Sequence, residues 1–416
     1  SGDTVTVPTG AGLTVTDEVK TNKISPATGV AFALGDSGDT FTVPSGATIV
    51  NSGTATGFGI NQTSFLPLAT PIIVNGNMAV AQRSTSVAAV GDGINTVDRI
   101  NLGLGSLGAW TNTQSTDSPP GFGKSFKMDC TTSASTSAST QCLIEYSAEG
   151  QDLQVFDKGA AGALTYTLAL WVKATKTGTN IVELLDQDNA RTCSASYTVD
   201  TTNTWEHKVL NYPADTTGTW DDDNARSLRI RIMLASGTDY SSGTLNTTWA
   251  ASSAVTTDRY VGQVNNADST SNDFLITGLQ LEVGTYTSAD LPPFQHETYG
   301  DNLQRCLRYF EMMADGRQDS DAIIALGFVY QTNVISLAYQ WHPKRATPSI
   351  DQSSGTDYFR YARDGGTEDF DSIKIYIPNA NTGLIYSDDA FTGADDENGW
   401  VQINNAAAYV ALSAEL

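Results

Sequence analysis

A chain of 416 residues is long enough for two or three domains that each bury a core. Only 17% of its residues are charged, and 46 acidic against 23 basic residues leave a net charge of −23. That balance argues against nucleic acid, whose phosphates reward clustered Lys and Arg, and against an anionic membrane surface. No apolar run reaches the ~18 residues that span a bilayer, and no basic stretch with an apolar core follows Ser1. The opening at Ser1 rather than Met leads to the expectation that an upstream anchor is missing or has been removed.

Thr, Ser, Gly, Asn and Asp are abundant throughout, which favours pleated surfaces joined by turns, so the expected fold class is all-β. The first element is a repeat. Gly2 to Ala11 and Gly38 to Ala47 match at eight of ten positions with an offset of 36, each a Thr-alternating strand that turns at Pro-Thr-Gly or Pro-Ser-Gly. Thr28 to Leu34 supplies a further short strand between them. Units this narrow cannot close a core alone, so residues 1–60 are read as a β-solenoid-like or triple-stranded stalk that needs three chains.

Longer strands follow over residues 72–297. Leu164, Tyr166, Leu168, Leu170 and Val172 fall on one face of a strand, and Leu228, Ile230, Ile232 and Leu234 alternate with Arg229, Arg231 and Met233. Both patterns predict period-2 strands with one buried face, in a β-sandwich of jelly-roll type. Asp301 is a plausible N-cap for one short helix in a linking segment over 298–314, with Leu303, Cys306, Leu307, Phe310 and Met313 as its apolar stripe. Beyond it, Ala322 to Tyr330, Val334 to Trp341, Ile373 to Ile377 and Ala408 to Leu416 predict a C-terminal β-sandwich head over 315–416.

Short motifs at two seams carry a resemblance. Ile73 to Met78, Gln82-Arg83 and Asp98-Arg99 come first, then Gln280-Leu281-Glu282, Gly284, Phe294 and Cys306-Leu307-Arg308-Tyr309; Pro343, Arg345, Thr347, Pro348 and Ala414-Glu415-Leu416 close the set. In this order they resemble phage tail-fibre and receptor-binding proteins with a carbohydrate-binding-module-like jelly roll, departing from them at Ile100, where members carry an aromatic. The resemblance implies a homotrimer located in the virion, with other tail or virion proteins and a host cell-surface glycan or protein as partners.

The motifs that suggest chemistry do not complete a catalytic set. Gly35-Asp36-Ser37-Gly38 has its histidines, His207, His296 and His342, only downstream; Gly123-Lys124-Ser125 lacks the leading glycine of a phosphate loop; His296-Glu297 lacks a second His four residues on. No cofactor is required on this reading. Two acidic turns that share Asp-Asn-Ala-Arg, with Asp186, Asp188, Asp221 and Asp223, could offer oxygens to a structural calcium ion, solvated turn carboxylates being the alternative. Cys130 and Cys142 could close a disulfide loop, with buried thiols as the alternative. For saccharide recognition the useful groups are rings with polar neighbours. Tyr358, Phe359, Arg360, Tyr361 and Arg363 crowd one Gly/Asp-rich segment, and Trp400 follows a polar turn; these are the candidate receptor contacts, with core packing or a trimer interface as their alternative. Trp205, Trp220 and Trp249 are expected in the core. The expectation is therefore a non-catalytic adhesive fibre, against a bracing or decoration protein of the virion and a polysaccharide depolymerase.

Overall fold

The computed structural model describes residues 70–331, 334–376, 378–388 and 398–416, which fall in one compact unit. The stalk expected over 1–60 lies outside the described residues. The architecture is all-β, with antiparallel sheets throughout the described residues. Among these residues no helix is long and apolar enough to cross a membrane.

The first sandwich is built from β1 (Ser86–Val87), β2 (Ile100–Gly103), β3 (Ala109–Ser115), β4 (Ser125–Thr132), β5 (Gln141–Glu149) and β6 (Tyr166–Ala174). It continues with β7 (Gly178–Asp186), β8 (Arg191–Val199), β9 (Glu206–Tyr212), β10 (Arg226–Ser236), β11 (Ala250–Ala251) and β12 (Asp273–Val283). One six-stranded sheet has the order β1-β3-β4-β12-β6-β9 and the other β11-β8-β7-β10-β5-β2. Tyr166, Leu168, Leu170 and Val172 of the first meet Leu228, Ile230, Ile232 and Leu234 of the second in one core, as period-2 strands require. Leu164 lies outside β6 and is exposed. All four cysteines are buried free thiols.

Strand β10 departs from expectation, because its second face is buried too. Met233, Leu143, Ile181 and Tyr260 form a separate cluster there, with Tyr240 and Leu245 packed against it. The segment after β10 folds back over the sheet, a long-range cover that local alternation cannot reveal. Under it, Arg259 Nε and Nη2 reach Glu183 at 2.6 and 2.7 Å, and Arg231 Nε reaches Glu145 at 2.9 Å. Burial pushes the Glu183 carboxyl up, but its bonds to Arg259 overcome this and hold it below its usual range.

The linking helix is shorter than the sequence suggests. It spans Tyr299–Leu307, and its N-cap is Thr298 rather than Asp301. The Asp301 N–H donates to Thr298 Oγ1 at 3.2 Å, a side-chain N-cap, and that hydroxyl in turn donates to Asp301 Oδ2 at 2.7 Å. Phe310 and Met313 belong instead to a strand, Phe310–Asp315, that pairs with Tyr409–Ser413. Pairing with the far end of the chain overrides the continuing helical spacing, so the head begins at 310 rather than 315.

The head strands are β13 (Phe310–Asp315), β14 (Ile323–Gln331), β15 (Val334–Gln340), β16 (Ser349–Gln352), β17 (Phe359–Arg363), β18 (Gly366–Phe370), β19 (Lys374–Tyr376), β20 (Thr382–Ser387), β21 (Asn398–Ile403) and β22 (Tyr409–Ser413). A three-stranded sheet, β13-β22-β16, faces a seven-stranded sheet, β18-β17-β21-β14-β15-β20-β19, across a core that includes Val329, Ile335, Phe359, Tyr361, Val401 and Val410.

Many of the motif residues that carry the family resemblance gather at the seam between sandwich and head. The Asn302 side-chain amide donates to Asn75 Oδ1 at 3.2 Å and Asn77 Oδ1 at 3.0 Å, and the Gln82 amide donates to the Phe310 carbonyl at 2.9 Å. Arg99, only 2% exposed, donates to Glu415 Oε2 at 2.7 Å and to the Ser147 carbonyl at 2.6 Å, with its guanidinium 3.5 Å from the Tyr309 ring centre. Arg308 reaches Glu149 at 2.7 and 2.9 Å.

Asp98 lies in the same seam and accepts from the Gln82 backbone N–H at 3.0 Å and its side-chain amide at 2.5 Å. Burial nevertheless pushes its carboxyl from 3.8 up to about 6. An acid whose pKa is higher folded than unfolded contributes stability that is complete below about pH 4 and is lost as pH rises through about 6. The melting midpoint of the wild type should therefore fall relative to that of Asp98→Asn between pH 4 and 7; a gap independent of pH in thermal scans would refute the buried, protonated acid.

Candidate functional site

The outward face of the seven-stranded sheet carries the most conspicuous exposed apolar surface among the described residues. Leu326 is 73% exposed, Tyr330 62%, Tyr376 56%, Phe328 39% and Trp400 38%. Exposed apolar residues grouped in this way mark an interaction surface rather than ordinary scatter. Their placement follows from register. Phe328 on β14 lies opposite Ser336 on β15, Ser336 opposite Tyr386 on β20, and Tyr386 opposite Lys374 on β19, so these four form one cross-strand row. Tyr376 lies opposite Leu384 in the adjacent row. Gly327 allows the close approach of β14 and β15: a Cβ there would lie 2.3 Å from Leu337 Cδ2 and 2.6 Å from the Ser336 carbonyl oxygen.

Between these strands runs a groove of about 630 Å³ lined by Phe328, Tyr330, Val334, Ser336, Tyr376, Leu384, Tyr386 and Asp388. The rings meet edge to face, Phe328 with Tyr330 at 6.4 Å and Tyr376 with Tyr386 at 6.2 Å. Among the described residues no Arg or Lys lines the groove. Lys374, next to it in register, donates to Asp388 Oδ1, and this bond holds the Asp388 carboxyl below its usual range. The groove thus offers ring faces, two aliphatic side chains, hydroxyls and one carboxylate. These can stack on and hydrogen-bond a small polar ligand. A smaller cleft of about 190 Å³ at the seam contains Arg83 and Arg317, but Arg83 lies over Phe310 and Arg317 is paired with Asp315.

The receptor contacts expected from sequence divide. Phe359 and Tyr361 are fully buried in the head core, and Tyr358 packs partly buried against it. They point inward because 359–363 is strand β17, not a loop. Arg360 points outward and is paired with Asp369 at 2.7 Å; Arg363 reaches Glu368 at 2.6 Å. Trp400 does lie on the exposed face, opposite Leu326, with its indole N–H donating to Gln402 Oε1 at 2.7 Å. It flanks the groove rather than lining it. Sequence reading missed Phe328, Tyr330, Tyr376 and Tyr386. The available signal was that Ile323 to Tyr330 is apolar in both registers, leaving one apolar face outward.

The carboxylates of the acidic turns have protein partners in the structure. Asp186 is fully buried, with the Lys158 ammonium 2.6 Å from its Oδ2; Asp188 accepts from the Asp221 backbone N–H at 3.2 Å, and Asp223 from that of Ala225 at 2.9 Å. Among the described residues no three His, Cys, Asp or Glu side chains gather as a metal-holding group. Trp220 and Trp249 are in the sandwich core, whereas Trp205 is partly exposed and donates to Asp117 at 2.9 Å.

No family model and no curated protein matches the chain. Among solved structures it is similar to the enzymatically active domain of tailspike protein 4 of bacteriophage CBA120, at 13% identity over 51% of this chain and 21% of that one, with a TM-score of 0.27. It is also similar to a protein from Bacteroides thetaiotaomicron described as sugar-binding, at 11% identity over 51% of this chain and 100% of that one, TM-score 0.28. The CBM22-2 xylan-binding domain from Paenibacillus barcinonensis gives 14% identity over 49% and 94%, TM-score 0.23. The chain thus spans about a fifth of the tailspike domain, and at these scores no function transfers from any of the three.

Proposed function

We propose that the chain is an adhesive subunit of a phage tail fibre, a homotrimer that attaches the virion to host-surface glycans without catalysis. The observation that carries this reading is the ring-lined groove on the outward face of the head. Rings exposed to water in such a groove gain by covering the C–H face of a pyranose, while Asp388 and the exposed tyrosine hydroxyls are placed to meet hydroxyls. The virion context and the threefold association rest on the sequence motifs alone. Three weak contacts on one particle would reinforce one another by avidity, so each groove need bind only weakly.

Purified protein tests this. Sedimentation should give about three times the 44.2 kDa chain mass, and the protein should adhere to host cells in competition with free surface glycan while releasing no reducing ends from it. A monomer that binds only other virion components would replace the adhesive reading with a bracing role. Steady release of reducing ends would replace it with a depolymerase.

A further inference from the structure

We propose that the head groove selects neutral saccharides bearing a methyl group, 6-deoxyhexoses or N-acetylhexosamines, and rejects acidic glycans. This rests on the adhesive reading above and specifies its ligand. Charge supplies the first argument. Among the described residues the one charged group of the lining is Asp388, and the neighbouring Lys374 is already bonded to it. A ligand carboxylate entering the groove would approach a like charge with no Arg or Lys of the lining to meet it, on a chain of net charge −23.

Shape and polarity supply the second. Leu384 and Val334 stand among the rings, where a hydroxyl would lose its water and find no partner, whereas a methyl gains by the same burial. Hydrogen bonding is concentrated at Asp388 and the tyrosine hydroxyls, with Ser336 only 3% exposed beneath them, enough to orient a sugar but too sparse to satisfy one hydroxylated on every edge. A volume of about 630 Å³ suits a short oligosaccharide.

The test titrates the full chain by calorimetry and saturation-transfer NMR with chitotriose, a rhamnose trisaccharide, maltotriose and trigalacturonate. Chitotriose or the rhamnose trisaccharide should bind at least about tenfold tighter than maltotriose, with transfer strongest to the methyl protons, and trigalacturonate should show no saturable binding. Tyr376→Ala, at an exposed position, should abolish that binding with the fold intact by circular dichroism. Leu384→Ser should weaken the methyl-bearing probe by about tenfold while leaving maltotriose unchanged. Equal affinity for maltotriose, or Tyr376-dependent binding of trigalacturonate, overturns the ligand class and leaves the groove an adhesive site. Absence of Tyr376-dependent binding by every probe overturns both.

Discussion

Replacing Lys158 by Met is expected to destabilise the sandwich by about 3–5 kcal/mol, the range for breaking a buried ion pair from one side. The ammonium is fully buried. It lies 2.6 Å from Asp186 Oδ2 and 3.2 Å from Asp215 Oδ2, and donates to the carbonyls of Thr217 at 2.9 Å and Gly218 at 2.7 Å. The Trp220 and Trp249 ring centres are 5.6 and 5.7 Å away. Met keeps most of the stem but strands the fully buried Asp186 carboxylate, to which the Asn189 side-chain amide still donates at 3.0 Å. Asp215 suffers less, because Arg191 holds it at 2.8 and 2.9 Å. For a domain of this size the loss corresponds to a fall in melting midpoint of roughly 6–20 °C, read by calorimetry. Adding Asp186→Asn should recover part of it, since removing both charges costs less than orphaning one. An unshifted midpoint in the single variant would show that the ammonium is not the partner that holds these loops.

Arg99→Leu is expected to be as damaging, through the seam rather than one core. The guanidinium is buried, sits on a residue with φ of 72°, and joins Glu415 beyond the last strand to the Ser147 carbonyl of β5. Burial works against its charge, but Glu415 and the two tyrosines at its faces overcome this and keep the pKa raised. Leucine removes these bonds and leaves Glu415, about 14% exposed in its side chain, with only Arg83 at 3.5 Å among the described residues. The expected cost is about 3–5 kcal/mol, and the head should then melt separately from the sandwich in calorimetry. Arg99→Lys should be intermediate, since an ammonium cannot reach both partners in the planar geometry of a guanidinium. A single transition at the wild-type temperature would mean that the seam does not couple the two sandwiches.

Legibility from sequence followed the range of the forces involved. Tyr166, Leu168, Leu170 and Val172 were readable because a strand's period is local and one face was buried. The second face of β10 was not, since the cover bearing Tyr240 and Tyr260 comes from a later segment. Phe310 and Met313 continue a helical spacing by coincidence, and only β22, about a hundred residues away, makes them a strand. In the head, Phe359-Arg360-Tyr361 alternates with period 2, which marks two of its rings as core; their neighbouring glycines and aspartates suggested a loop instead. The groove itself joins β14, β15, β19 and β20, a conjunction that no local pattern encodes. Motif residues such as Asn75, Gln82, Arg99 and Glu415 are largely committed to the seam, which explains why polar side chains stand at buried or half-buried positions there.

Adhesion through the head groove is tested most directly by comparing wild-type protein with Tyr330→Ala/Tyr376→Ala for retention on host cells. Both side chains are more than half exposed, so the melting midpoint should stay within about 1–2 °C. Retention should fall by about tenfold or more, as loss of central aromatic anchors produces. Undiminished retention by a folded double variant would contradict the account.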